Sequence, residues 1–333
     1  RWTVRAGLLL FAAALAYVAL YRSGDATESE RLAAEALATL LPTDVEGRVL
    51  ALFRLTAAAW WPGDVRRAED FTRKALELAG QRPLLRARAL RTLLWLLEVR
   101  LELDEAAEVL ESLDLVPGDV LEQARTRYAE ASLRRVQGRL DDAVAGFTEA
   151  RVTFLDSGMA GDAAWAGTML GWLAFVDGDL DAAERFFREG MRVFAENEDR
   201  GRLCESERAL AEILLERGRV AEAEQYALQA REHVSNHDVT SSVATLRTLG
   251  LVRSAQGRDD EAESLLREAL AIVAGTECRL LEVGAAAALA RLLRAGGRDA
   301  EAEELECGLP DPMPGALNRD DAFAAVGETA RRS

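Results

Sequence analysis

Residues 178–184 read GDLDAAE, and the same pattern returns as GRVAEAE at 218–224, GRDDEAE at 257–263 and GRDAEAE at 297–303. A glycine opens each copy, an alanine follows five residues later, and a glutamate comes next. The copies are 40, 39 and 40 residues apart. A period of this length is typical of a protein built from stacked structural repeats.

Weaker copies extend the series towards the N-terminus. GRLDDAV occupies 138–144 and GDVRRAE occupies 63–69, while a degenerate unit has Leu101 at the glycine position and Ala106 at the alanine position. Gly24 continues the spacing, with Ser29 in place of the alanine. The pattern therefore predicts about eight repeats, with turns near residues 24, 63, 101, 138, 178, 218, 257 and 297.

Each unit reads as a helix, a tight turn and a second helix. The glycine suits the end of the first helix, where the backbone turns left-handed and a Cβ would be strained. The alanine suits a close crossing of two helices. Apolar residues then recur at helical spacing, as Phe187 and Leu266 do nine residues after the glycine. Ala150, Ala230 and Ala269 lie twelve residues after it, so the second helix has a buried face.

These residues resemble the tetratricopeptide repeat (TPR). The seventh unit carries the consensus in Leu249, Gly250, Gly257, Ala262, Leu266 and Ala269, and the fifth carries it in Leu170, Gly171, Gly178, Ala183 and Phe187. The resemblance implies an all-α, right-handed solenoid. The period exceeds the usual value of roughly 34 residues, which longer helices and connections would explain. Armadillo and HEAT repeats have periods near 40 residues but lack the glycine-to-alanine signature.

The repeats predict one solenoid over residues 1–307, followed by a C-terminal tail over 308–333. Pro310, Pro312 and Pro314 break the helical pattern in the tail, which we expect to be partly disordered or to form one short helix. Residues 6–20 are strongly apolar and fit the first helix of the first repeat. Alternatively they could anchor the chain in a membrane, or mediate self-association, although the apolar run is short for a membrane span.

Composition excludes several functions. The 333 residues carry a formal net charge of −16, which argues against direct nucleic-acid binding. Three widely spaced cysteines, Cys204, Cys278 and Cys307, do not suggest a disulfide framework, which fits a cytoplasmic location. His233 and His237 are the only histidines and are interpreted as surface residues rather than metal ligands. No nucleotide-binding or catalytic motif is present, so we expect neither enzymatic activity, nor a cofactor, nor a metal.

In TPR solenoids the first helices line an inner groove that binds partners. The resemblance places groove positions 13, 10, 6, 3 and often 2 residues before each repeat glycine. The predicted partner-binding residues are Trp60, Trp61, Arg88, Arg91, Trp95, Arg125, Tyr128, Arg135, Trp165, Thr168, Trp172, Phe175, Arg208 and Arg247. Tryptophan, tyrosine and arginine are enriched in binding hot spots. The alternative is that these tryptophans pack between repeats.

The sequence therefore predicts a non-catalytic scaffold or sensor that binds a protein or peptide with acidic and hydrophobic anchors. It is similar to the C-terminal TPR arms of large bacterial signal-transduction ATPases and regulators, which implies a regulatory arm within a larger signalling or transcription-regulatory protein. Two alternatives remain open. One is an arm that positions substrates for a catalytic domain elsewhere, and the other is a membrane-anchored assembly protein that uses residues 6–20.

Overall fold

The computed structural model describes residues 25–113, 119–234, 238–307 and 309. These residues form fifteen α-helices and no β-strand. The helices are α1 (Ala26–Thr39), α2 (Val45–Trp60), α3 (Val65–Ala79), α4 (Pro83–Arg100), α5 (Leu103–Glu111), α6 (Val120–Val136), α7 (Leu140–Asp156), α8 (Ala160–Asp177), α9 (Leu180–Glu196), α10 (Arg200–Glu216), α11 (Val220–His233), α12 (Val239–Ala255), α13 (Asp259–Val273), α14 (Arg279–Ala295) and α15 (Asp299–Glu306).

The helices stack as consecutive pairs. From the second repeat to the eighth, each even-numbered first helix packs on the odd-numbered second helix that follows it, and each pair packs on the next. The predicted all-α solenoid is confirmed. The apolar run at 6–20 and nearly all of the tail at 308–333 lie outside the described residues, so the predicted domain division stays a prediction.

The turn between the paired helices forms where the sequence predicts it. Its glycines adopt φ between 70° and 89° at positions 63, 138, 178, 218, 257 and 297. Leu101 also adopts a left-handed φ, of 59°, although a side chain makes this conformation unfavourable. The degenerate third unit therefore keeps the turn geometry without the glycine.

The small residue five positions after the turn is buried in every described repeat. The alanines at positions 68, 106, 143, 183, 223, 262 and 302, and Ser29 in the first unit, are all fully buried. The apolar residues that follow in the second helices are buried as well: Phe187, Leu266, Ala150, Ala230 and Ala269. The predicted buried face of the second helices is therefore confirmed. The apolar core therefore lies between two layers, one formed by the first helices and the other by the second helices of the repeats.

The third repeat interrupts the regular stacking. Helix α5 is only nine residues long, whereas most other helices have fourteen to eighteen. It makes few contacts with α6, and α4 packs directly on α6 instead. The first helices of the third and fourth repeats contact each other directly, as do those of the sixth, seventh and eighth repeats.

The solenoid completes a turn and contacts itself. Helix α14 of the eighth repeat packs on α4 of the third. The backbone N–H of Val239, at the start of α12, donates a hydrogen bond to the carbonyl oxygen of Trp61, 2.9 Å away. Glu277 forms ion pairs with Arg66 and Arg100. We call these contacts between residues 61–100 and 239–285 the closure.

Candidate functional site

The inner surface of the solenoid lines a cavity of about 1870 Å³. Helices α2, α4, α6, α8, α10, α12 and α14 all contribute side chains to its wall. These are the first helices of the second to eighth repeats. Because neighbouring first helices present the same face, residues at matching positions form rows around the cavity.

Most of the predicted groove residues reach this cavity. The wall includes Trp60, Trp61, Arg88, Arg91, Trp95, Arg125, Tyr128, Arg135, Trp165, Trp172, Arg208 and Arg247. The structure thus brings together twelve of the fourteen residues that the repeat positions select. Whether they bind a partner stays a prediction.

Thr168 and Phe175 do not line the cavity, and the prediction is wrong for both. Thr168 is fully buried because α8 and α9 approach closely at this level. A Cβ added at Gly190 of α9 would come within 2.8 Å of the Thr168 Cγ2. Phe175 is 2% exposed and packs in a core cluster with Phe187 and Ile213. In the fifth repeat these two positions face the second layer of helices.

Four arginines from three consecutive repeats line one part of the wall: Arg54 on α2, Arg88 and Arg91 on α4, and Arg125 on α6. Glu122, also on the wall, forms ion pairs with both Arg91 and Arg125. We call these four arginines the arginine cluster. The direct packing of α4 on α6 places three of its members on adjacent helices.

No carboxylate of the described residues lies within ion-pair distance of Arg88, whereas Arg91 and Arg125 both pair with Glu122. Its guanidinium lies over the ring of Phe53, 4.5 Å from the centroid. The surrounding protein and the positive charges of Arg54, Arg91 and Arg125 lower the pKa of Arg88. An anion bound beside Arg88 would relieve this repulsion, and a guanidinium can bind a carboxylate with two parallel hydrogen bonds.

The tryptophans have two roles at once. Trp60 and Trp95 stack at a tilt, with their ring centroids 4.2 Å apart, and Trp95 is 39% exposed. Trp172 packs on Phe187 of the next helix, and Trp165 packs on Phe194. All four tryptophans line the cavity. Trp165 and Trp172 also pack on α9 in the second layer, whereas Trp60 and Trp95 contact each other between two first helices.

On the sixth and seventh repeats the arginines pair internally. Glu212 accepts hydrogen bonds from Arg208 and Arg247, at 2.7 and 2.8 Å, and from Thr248 at 2.6 Å. All four residues are buried. The charges of Arg208 and Arg247 are therefore largely neutralised by Glu212, and they stabilise the wall more than they offer positive charge to a ligand.

Glu122, Asp162 and Arg202 also line the cavity, although the groove positions taken from the TPR resemblance omit them. Each lies sixteen residues before its repeat glycine, one helical turn before the first position used. Their common spacing is a signal that could have found them. Arg202 lies over the Trp165 ring, 5.2 Å from its centroid.

The chain also has two histidines and three cysteines, residue types that are common in metal sites and nucleophilic sites. No group of three or more metal-ligating side chains occurs in the described residues. His233 contacts Glu207 through its Nδ1, 2.7 Å from the Oε2, and His237 lies outside the described residues. Cys204 and Cys278 are buried thiols, and Cys307 is exposed. None of the described helices has the length and apolar character that crossing a membrane requires.

The family described as MalT-like TPR region matches residues 101–308. The chain belongs to this family. No curated protein matches the sequence significantly. The match begins at Leu101, the glycine position of the degenerate unit, so this TPR region includes the third turn and all later repeats.

Three solved structures have a similar fold. A Rap protein complexed with Competence and Sporulation Factor has a TM-score of 0.59 at 14% identity, over 88% of this chain and 79% of that one. NprR in complex with its cognate peptide NprX has a TM-score of 0.52 at 15% identity, over 79% and 76%. A signal-transduction ATPase with a TPR sensor from Pyrococcus horikoshii has 0.53 at 11% identity, over 99% of this chain but 48% of its own length.

Proposed function

We propose that this TPR region is a regulatory binding module that holds a peptide inside its cavity. The observation that carries the proposal is the single cavity shared by the first helices of seven repeats. Its volume of about 1870 Å³ exceeds the range of roughly 300–1,000 Å³ that is usual for small-molecule pockets. A wall that combines tryptophans with arginines also suits a peptide, because these side chains dominate binding hot spots.

The arginine cluster defines the chemistry of one anchor. The Arg88 guanidinium lies over Phe53 among other positive charges, so it suits a carboxylate of the ligand. The Trp60–Trp95 pair lies on the same two helices as Arg54 and Arg88 and suits an apolar or aromatic side chain. We therefore assign the acidic anchor to Arg88 and the hydrophobic anchor to the Trp60–Trp95 pair.

The spacing of these anchors predicts a motif. Arg88 and Trp95 lie seven residues apart on α4, which corresponds to about 10 Å along the helix axis. An extended peptide advances roughly 3.3 Å per residue. We therefore expect an acidic group and an apolar side chain about three residues apart in the ligand.

Two of the similar structures support a peptide ligand. The Rap protein and NprR were each solved in complex with a named factor or peptide, and their folds resemble this chain over most of its length. The archaeal ATPase, whose TPR part is a sensor, supports a regulatory role within a larger protein. At 11–15% identity these likenesses concern the fold, so the peptide and the regulatory role remain proposals for this chain.

The test is affinity selection from a pool of random synthetic heptapeptides with free termini. We expect the immobilised wild-type protein to enrich peptides with the acidic and apolar spacing given above. Arg88→Gln should raise the Kd of the enriched peptide by about tenfold or more, because it removes one charge-assisted hydrogen bond. Arg86→Gln is the matched control, because Arg86 lies on the same helix and is not part of the cavity wall.

Both variants are first checked by thermal unfolding, so that a loss of binding cannot reflect misfolding. Enrichment of no peptide by a folded wild-type protein would overturn the proposed function. Equal binding by wild type and Arg88→Gln would remove the arginine cluster from the site.

A further inference from the structure

We infer that the closure restricts the cavity to ligands with a free chain end, so that the partner is a short peptide or the terminus of a protein. This inference rests on the proposed function and deepens it by naming the class of partner. It excludes an internal segment flanked on both sides by folded domains.

The closure is a specific contact and not a loose approach of two ends. The Val239 N–H lies in the first turn of α12, where it has no partner within the helix, and it donates to the Trp61 carbonyl. Gly63 is buried against Thr276, and a Cβ at position 63 would lie 2.5 Å from the Thr276 Cγ2. The two backbones thus meet with no room for an intervening side chain.

The closure is also apolar and charge-complementary. A continuous core cluster contains Val65 and Val99 from one side and Val273 and Cys278 from the other. Glu277 lies between Arg66 and Arg100 and pairs with both. Opening the closure would expose the apolar cluster to water, so the closed form is the stable one.

The closure changes how a ligand can enter. Between the second and eighth repeats every helix pair packs on its neighbours, and the closure joins the two ends of this series. Because the wall is then continuous around the cavity, a chain must enter along the superhelix axis. A segment with a folded domain at each end cannot thread through the ring, whereas a free end can.

The arginine cluster agrees with this restriction. A free C-terminus supplies an α-carboxylate, which is the group that Arg88 is suited to bind. An internal segment would have to supply an acidic side chain instead. Amidation of the peptide's C-terminus removes the α-carboxylate and leaves acidic side chains intact. The affinity of the amidated peptide therefore distinguishes these two sources of carboxylate.

The experiment uses the heptapeptide that the wild-type protein enriches most, presented in three formats. It is free, or fused at the C-terminus of a green fluorescent protein, or placed between two such proteins. The wild type is compared with Glu277→Arg, which sets a third positive charge against Arg66 and Arg100. Glu304→Arg, an exposed position on α15, makes the same charge change away from the closure.

We expect the free and singly fused peptides to bind the wild type with similar association rates. The doubly fused peptide should associate about tenfold more slowly or not at all, because binding then requires the ring to open. Glu277→Arg should restore its association, while Glu304→Arg should not. Amide exchange at Val239 provides an independent readout of opening and should accelerate only in Glu277→Arg.

Equally fast association of the doubly fused peptide with the wild type would overturn this inference and leave the proposed function standing. Failure of the doubly fused peptide to bind Glu277→Arg, despite faster exchange at Val239, would also overturn it. Failure of all three formats to bind would overturn the proposed function, and this inference with it.

Discussion

The hydroxyl of Ser132 donates a hydrogen bond to the Glu98 carboxylate, with 2.6 Å between the Ser132 Oγ and the Glu98 Oε2. The two residues lie on α6 and α4, two first helices that pack directly on each other. Glu98 is 3% exposed, and burial raises its pKa to about 7, although the Ser132 hydrogen bond and the positive charge of Arg135 oppose the rise. A buried carboxyl on the cavity wall therefore changes its charge near neutral pH.

The first prediction is that Glu98 makes the protein less stable as the pH rises. Because its pKa is higher in the folded than in the unfolded chain, the folded form keeps a proton that the unfolded form releases. This contribution to stability is complete below about pH 4.5 and is lost as the pH rises through about 7. Glu98→Gln should be about as stable as wild type at pH 4 and up to about 3 kcal/mol more stable at pH 8.

Denaturant unfolding of both proteins across this pH range measures the difference directly. Comparing the variant with wild type cancels the contributions of Glu207 and Asp238, whose pKa values are also raised by burial. Glu304→Gln controls for the loss of one exposed negative charge. A difference between Glu98→Gln and wild type that does not change with pH would show that Glu98 is ionised throughout.

The second prediction concerns the left-handed turn at Leu101. A leucine at φ 59° is strained by roughly 1–2 kcal/mol, whereas glycine is not. Glycine also loses more conformational entropy on folding, so Leu101→Gly should raise the free energy of unfolding by about 0.5–1 kcal/mol. Gly138→Leu at the equivalent turn, where φ is 76°, should lower it. Equal signs for the two substitutions would contradict the assignment of Leu101 to the repeat turn.

The third prediction concerns the helix crossing at Ala223. This alanine is fully buried within a core cluster that includes Leu210 and Leu214. Ala223→Leu should overpack the crossing and cost about 1–3 kcal/mol of stability. Ala221→Leu, two residues earlier on the exposed side of the same helix, should change stability by less than about 0.5 kcal/mol. Thermal unfolding of both variants checks this, and a neutral Ala223→Leu would show that the crossing can widen.

The fourth prediction separates the two roles of the tryptophans. Trp172 packs on Phe175 and Phe187, and its indole N–H donates to Glu205, so Trp172→Ala should cost about 2–3 kcal/mol. Trp95 is more exposed, and Trp95→Ala should cost about 1 kcal/mol while weakening the peptide selected by the wild type. Calorimetry and peptide titration of the same samples measure both effects. A larger loss of stability in Trp95→Ala would reverse the roles assigned here.

The repeat period predicts the turns and buried alanines because each position has the same local environment in every unit. Leu101 could be assigned to a turn from spacing alone, although its side chain disfavours the conformation. Twelve of the fourteen predicted groove residues lie on the cavity wall, whereas Thr168 and Phe175 are buried against α9.

Two features could not be predicted because they depend on how repeats are placed around the superhelix. The positions of Arg208 and Arg247 follow from the period, but their shared partner Glu212 depends on the rotation between neighbouring repeats. The contact of Trp61 with Val239 depends on the pitch of the superhelix, because small rotations between neighbouring repeats add up over five repeats. No short stretch of sequence encodes either quantity.

The hydrogen bond between Val239 and Trp61 also changes the folding behaviour expected of a repeat array. In an open array each repeat is stabilised only by its immediate neighbours, and the end units fray independently. The closure gives the second and third repeats a partner in the seventh and eighth, so that fraying at either end removes support from the other. The array should then unfold as one cooperative unit. We expect its two ends to show equal protection of their backbone amides from hydrogen exchange, unlike the ends of an open array.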